Sequence, residues 1–200
     1  THSSFIVVER DENGVAAKVL WMCEDISDEM NKRIQHENEL NKYFLLSYTD
    51  KMTGVFNRAA FMRDIEMYEE LGAENIAVIY ADINGLKSTN DFYGHDAGDK
   101  LIMKSVKTLK DCFMRKEDKI YRTGGDEFVI LMTNVTSEEF DEAYNNLKDK
   151  LKKKDILSVG GTWVESESDI DLLTRKAEKF MYENKNEYYL NHPELDRRKK

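Results

Sequence analysis

The feature that most constrains the fold is Arg122-Thr123-Gly124-Gly125-Asp126-Glu127-Phe128, set between the apolar runs Ile120-Tyr121 and Phe128-Val129-Ile130-Leu131-Met132. Two β-prone runs joined by a Gly-Gly pair predict a β-hairpin, because glycine reaches the positive-φ conformations that tight hairpin turns need. Asp126 and Glu127 then stand at its tip. Packing gives no reason to put two carboxylates side by side there, whereas binding a hard cation or a metal-bound triphosphate does. Taken alone, an acidic turn is better explained as a solvated one. The reading therefore depends on a second acidic element facing this one.

Such an element lies upstream, where the apolar run Ile76-Ala77-Val78-Ile79-Tyr80-Ala81 leads into Asp82-Ile83-Asn84-Gly85-Leu86-Lys87-Ser88-Thr89-Asn90-Asp91-Phe92-Tyr93-Gly94-His95-Asp96-Ala97-Gly98-Asp99. Together the two stretches resemble the GGDEF domain of bacterial diguanylate cyclases, which join two GTP molecules into cyclic di-GMP on a palm-like fold. Asp50-Lys51-Met52-Thr53-Gly54-Val55-Phe56-Asn57-Arg58 is similar to the family's opening motif, and Ala177-Glu178-Lys179-Phe180-Met181-Tyr182-Glu183-Asn184-Lys185 to its closing helix. The resemblance covers roughly residues 48–186.

Two hundred residues allow one domain of ordinary size plus an accessory segment. With 34% charged and 40% hydrophobic residues and a single proline, the composition is that of a helix-rich globular chain. The net charge of −9 argues against a nucleic-acid partner, which would require Lys and Arg to neutralise phosphates. Cys23 and Cys112 are isolated, without metal-ligand spacing or a disulfide framework, and fit a reducing cytosol. No apolar run is long enough to cross a bilayer, so no membrane contact is expected within this chain. The expected location is cytoplasmic, and a membrane anchor would have to lie in sequence outside it.

Three segments are expected. Residues 1–26 contain Phe5 to Arg10, the turn Asp11-Glu12-Asn13-Gly14 and Val15 to Met22, a hairpin too short to fold alone. With the following Glu24-Asp25-Ile26-Ser27 it resembles the end of a PAS sensor domain, which implies an upstream sensory module. Residues 27–48 predict a linker helix capped by Ser27 or Asp28, with an imperfect heptad in Ile26, Met30, Ile34, Leu40 and Phe44. Residues 49–200 form the GGDEF segment. Its helices are expected at Arg58–Leu71, with Phe61, Met62, Ile65 and Tyr68 on one face, then at Ala97–Phe113, Ser137–Leu151 and Asp169–Glu187. Strands are expected at Ile76–Ala81, at the hairpin and at Ile156–Val164. Helices alternating with strands but interrupted by a hairpin predict an α+β, or mixed α/β, fold with a central sheet.

The resemblance implies the chemistry. Asp82 and Asp126, with the Ile83 carbonyl, are the expected ligands of Mg2+ or Mn2+, which would polarise phosphoryl oxygens and hold the leaving pyrophosphate. Glu127 is the expected aid to deprotonation of the ribose 3′-hydroxyl. Gly85-Leu86-Lys87, opening a helical stretch after a strand, offers backbone N–H groups and one cation to phosphates. Asn90 and Asp99 would read guanine by the resemblance, although a turn residue and a helix cap are their plainer descriptions. Lys185 matches a phosphate-binding lysine. His95 reads as a turn or packing residue rather than an acid-base catalyst.

The sequence departs from the family in two places. Asn84 stands where many members carry a second Asp, and the stretch Glu187-Tyr188-Tyr189 after Lys185 lacks the family's usual Gly-Arg-Asn, so that the arginine expected at Tyr189 is missing unless Arg197 or Arg198 supplies the charge. Arg115-Lys116-Glu117-Asp118 matches an R-x-x-D inhibitory motif in Arg115 and Asp118, implying a product site for cyclic di-GMP. The resemblance thus implies a metal-dependent, homodimeric, product-inhibited diguanylate cyclase. The alternative is a catalytically silent GGDEF module that binds GTP or cyclic di-GMP and signals through a partner.

Overall fold

The computed structural model describes residues 2–72, 74–165 and 169–195, in two units divided between Leu46 and Ser47. In the first, β1 (His2–Arg10) pairs antiparallel with β2 (Ala16–Glu24). The turn between them is organised by Asp11, whose carboxylate accepts from the amides of Asn13 (3.0 Å) and Val15 (2.8 Å), with Gly14 at φ 77°. Helix α1 (Ser27–Tyr48) follows over the expected span and ends across the division. Its start differs from expectation. Ser27 is already helical, and its amide and hydroxyl donate to Asp25 at 3.0 and 2.6 Å, so Asp25 carries the capping role. Those bonds hold the Asp25 carboxyl below its usual range. The Cys23 side chain lies outside the described residues.

In the second unit the elements are β3 (Phe56–Asn57), α2 (Arg58–Leu71), β4 (Asn75–Ile83), α3 (Leu86–Tyr93), α4 (His95–Lys110), β5 (Lys119–Arg122), β6 (Glu127–Thr133), α5 (Ser137–Lys152), β7 (Leu157–Glu165) and α6 (Ile170–Asn191), with a short 3-10 turn at Pro193–Leu195. They build one mixed sheet in the order β3-β5-β6-β4-β7, in which only β3 and β5 run parallel. The α+β expectation holds. β4 and β6 are buried almost throughout because helices cover both faces. On one face α4 and α5 bring Ile102, Val106, Leu109, Phe140 and Leu147 against Ala77, Ile79 and Ile130. On the other, α2 and α6 bring Phe61, Ile65, Leu173, Ala177 and Met181 against Ile76, Val78 and Leu131.

Three local differences matter below. Met62 is half exposed rather than part of the α2 core face, because Phe61 and Ile65 already fill the contact with the sheet. A separate helix, α3, precedes α4, and Gly94 between them takes φ 83°. α6 runs four residues beyond the expected Glu187. It can lie flat on β7 because Gly160 has no side chain: a Cβ there would stand 2.1 Å from the Met181 amide nitrogen and 2.2 Å from the Ala177 carbonyl oxygen.

Candidate active site

Register brings the two acidic stretches together. In the β4–β6 ladder Asp82 stands directly opposite Glu127, and the Ile83 amide donates to the Asp126 carbonyl at 3.0 Å. Alternation along the strands puts Tyr80, Asp82 and Glu127 on the sheet face that α6 covers. Asp82 is only 5% exposed. Burial raises its carboxyl to about 6, and the nearby negative charges of Asp126 and Glu127 add to this against the attraction of Lys185, whose ammonium donates at 2.5 Å. Asp82, Glu127, Lys185, Glu178, Tyr182 and Tyr189 line one open cleft of about 670 Å³.

The hairpin is not the tight two-residue turn that its glycines suggest. Four residues, 123 to 126, separate β5 from β6, and neither Gly124 nor Gly125 adopts positive φ. What the glycine at 124 provides is space instead. Glu127 folds back so that its Oε2 would lie 2.4 Å from a Cβ at position 124. Arg122 ties down the tip: its guanidinium donates to the Gly125 carbonyl at 2.7 Å and to the Asp50 carboxylate at 3.1 Å. Asp50 also accepts from the Thr53 amide and hydroxyl at 2.9 and 2.5 Å. Burial would raise the Asp50 carboxyl, but these bonds outweigh it and hold it below its usual range.

The candidate phosphate loop leaves the end of β4. Gly85 takes φ 65° as the N-cap of α3, so no side chain caps the first α3 amides, and Lys87 beside them is exposed. Asn90 lies in α3 against α4: a Cβ on Gly98 would sit 1.9 Å from the Asn90 Oδ1. Asp99 is exposed in the second turn of α4. It therefore caps nothing, and the plainer description of it fails. His95 opens α4 and is exposed.

Residues 47–189 match the family described as "Diguanylate cyclase, GGDEF domain". The chain belongs to the GGDEF family. It is 27% identical over 179 residues to diguanylate cyclase DgcM of Escherichia coli, a stretch that is 84% of this chain but 42% of the relative. It is also 27% identical over 148 residues to diguanylate cyclase DosC of Escherichia coli, 66% of this chain and 32% of that one. The chain thus spans less than half the length of either relative. Among solved structures, the coiled coil and GGDEF domain of DgcB from Caulobacter crescentus, in complex with c-di-GMP, aligns with TM-score 0.67 over 80% of this chain and 92% of that one. At 18% identity this likeness is one of fold alone. A sensory box/GGDEF family protein from Caulobacter crescentus aligns with TM-score 0.57 and 26% identity over 70% of this chain and 99% of that one.

Against this GGDEF frame the departure at Asn84 has a local explanation. Its carboxamide accepts from the Ser158 hydroxyl at 2.7 Å and donates to the Asp155 carbonyl at 3.1 Å, joining the end of β4 to β7. An ionised Asp could not make the second bond. For the metal that the family implies, no three His, Cys, Asp or Glu side chains among the described residues are gathered as a ready cage. The site does fit a hard cation held by few protein oxygens and by substrate phosphates. A buried carboxylate, Asp82, already holds the ammonium of Lys185 as a stand-in cation, with Asp126 near enough to raise its proton affinity.

The R-x-x-D pair of the GGDEF domain is folded inward and lies outside the cleft. The Asp118 carboxylate accepts from the Arg115 amide at 3.1 Å, while the Arg115 guanidinium donates to the carbonyls of Asn134 (2.8 Å) and Thr133 (3.3 Å). Burial pushes the Asp118 carboxyl up. The pair borders a separate hollow of about 480 Å³ with Cys112, Glu139 and Asn146.

Sequence reasoning assigned no role to Arg122 or Asp50. The signal was present in an arginine just before Gly124-Gly125 and an acid in the opening motif, but only the fold pairs them. It also missed Asp64, fully buried in α2, which accepts from the Tyr121 hydroxyl at 2.7 Å, Lys119 at 2.8 Å and Arg63 at 2.5 Å. Burial would raise the Asp64 carboxyl, yet these three donors hold it below its usual range. Arg63 in turn lies over the Tyr48 ring at 4.4 Å, so this network braces β5, the strand that leads to the tip.

Proposed function

We propose that the chain is the output domain of a diguanylate cyclase, condensing two GTP into cyclic di-GMP with release of two pyrophosphates. The observation that carries the reading is the cross-strand pairing of Asp82 with Glu127 beside Lys185 in one cleft. In this reading Asp82, Asp126 and the Ile83 carbonyl hold Mg2+ or Mn2+. When bound, the metal supplies charge neutralisation at the α-phosphate and the leaving pyrophosphate. Glu127 takes part in removing the proton from the attacking 3′-hydroxyl, held in place by the space at Gly124 and by the Arg122 clamp on Gly125. The α3 amides of the Gly85-Leu86-Lys87 loop, with Lys87 and Lys185, bind phosphates. Asn90 and Asp99 present an amide and a carboxylate to guanine, matching its carbonyl acceptor and its amide and amine donors.

One cleft holds one nucleotide, so joining two calls for two copies whose clefts face each other, a homodimer. Arg115 and Asp118 are read as a site for the product. Bound there, away from the cleft, cyclic di-GMP would inhibit without competing with GTP. The ribbon β1–β2 and helix α1 are read as the end of an upstream sensor and its linker. Among the described residues no helix is long and apolar enough to cross a membrane, in keeping with a cytoplasmic setting for this segment.

Tyr189, standing where the family's arginine is expected, favours a second reading, a silent module that binds GTP or cyclic di-GMP without turnover. Nucleotide binding together with product formation in the wild type, Asp82→Ala and Asp126→Ala separates the two. The cyclase reading expects binding and turnover in the wild type, with turnover abolished in both variants. The silent module expects binding without product in all three.

A further inference from the structure

The tail of α6 carries Tyr188 and Tyr189 where the family pattern has Gly-Arg-Asn. The helix continues without a break to Asn191, through the positions at which the family pattern would end it with Gly-Arg-Asn. Tyr188 falls three residues after Lys185, on the same side of the helix. Its hydroxyl comes to 3.7 Å from where a Cβ on Gly85 would stand, directly over the start of the phosphate loop. Gly85 is itself in the left-handed conformation, as the N-cap of α3, and no side chain caps the helix there. The ring is braced from behind. His192, one turn further on, stacks against it with centroids 4.5 Å apart at 27°, and the His192 Nδ1 donates to the Tyr188 carbonyl at 3.0 Å. Tyr189 meets the same ring edge-on at 5.2 Å and lines the cleft with Lys185 and Asp82.

We propose that the Tyr188 hydroxyl donates to the terminal phosphates of the bound nucleotide, working with Lys185 in place of the arginine, and that His192 is the positioning residue that holds it there. This rests on the nucleotide reading of the Gly85-Leu86-Lys87 loop. A neutral hydroxyl supplies one directional donor where a guanidinium supplies a charged fork. The contribution is therefore confined to the β- and γ-phosphates and adds nothing for a nucleotide that lacks them.

The test is calorimetric binding of GMP and of a non-cleavable GTP analogue, with Mg2+, to the wild type, Tyr188→Phe and His192→Ala, alongside thermal melts of each. Tyr188→Phe should weaken the triphosphate analogue at least about tenfold, the scale of a hydrogen bond to a charged group, while leaving GMP affinity and the melt unchanged. His192→Ala should weaken the analogue in the same direction by less. Unchanged analogue affinity in Tyr188→Phe, or equal loss for GMP and the analogue, overturns the tyrosine assignment but leaves the nucleotide reading standing. A wild type that binds neither ligand overturns both.

Discussion

The Lys185 ammonium lies 2.5 Å from the Asp82 carboxylate, although the two residues are 103 positions apart in the chain. The pair joins the closing helix to the end of the central strand, and the balance of charge around it is sensitive to pH. Burial and the neighbouring carboxylates raise Asp82 to about 6 despite the lysine. A carboxyl raised above its unfolded value binds more protons when folded. Its contribution to stability is therefore complete below about pH 4 and is lost as pH rises through about 6. Asp82→Asn removes that loss. Urea unfolding midpoints from pH 4 to 8 should show the wild type losing stability relative to Asp82→Asn, by up to roughly 3 kcal/mol for a shift of about two pH units. Parallel curves for the two proteins would count against the burial argument.

Gly98 tests the base pocket without substitution of either residue assigned to it. A Cβ at this position would fall 1.9 Å from the Asn90 Oδ1, the far end of a movable side chain. Gly98→Ala should leave the melt unchanged or raise stability by about 0.5–1 kcal/mol, since alanine is the better helix former. The displaced carboxamide should cost GTP its preference over ATP, measured as a ratio of dissociation constants.

At Gly160 the obstruction is backbone, so nothing can swing aside. Gly160→Ala should lift α6 from β7 and destabilise the domain by about 1–3 kcal/mol, the usual range for overpacking. Because Lys185 rides on that helix, the variant should also weaken nucleotide binding at temperatures where it remains folded. Denaturant midpoints and binding at low temperature check the two effects separately.

Arg115 makes a distinct prediction because its guanidinium is already spent on the carbonyls of Thr133 and Asn134. Arg115→Ala should cost about 1–3 kcal/mol, as for other hydrogen bonds from a charged group. If the pair is also the product site, the variant should lose calorimetric binding of cyclic di-GMP with GTP affinity unchanged. Product binding that survives loss of both Arg115 and Asp118 would remove the feedback site and leave a purely structural pair.

What the sequence made legible follows from the range of each interaction. Apolar runs and helical spacing report burial, so β4, α2 and α5 could be placed almost residue by residue. Asp126 and Glu127 stood out as adjacent carboxylates in a turn and Asp82 through the resemblance of its stretch to the GGDEF pattern, and the register of β4 and β6 sets Asp82 opposite Glu127. Roles that depend on distant partners were not. Arg122 meets Asp50 from 72 residues away, and Asp64 gathers Tyr121 and Lys119 across 57 and 55. Gly124 was assigned to the turn for the wrong reason, since it leaves room for the Glu127 carboxylate and does not adopt positive φ. The extended end of α6 was missed because a stop was expected after Glu187, whereas Tyr188, Tyr189 and Leu190 are all compatible with a continuing helix.

Cyclase activity is tested by incubating the purified chain with GTP and Mg2+, then quantifying cyclic di-GMP and pyrophosphate in the wild type and in Glu127→Gln. The account predicts two pyrophosphates for each cyclic di-GMP in the wild type and at least about a hundredfold slower formation in the variant. A wild type that binds GTP, assembles as a dimer and still forms no cyclic di-GMP would contradict it.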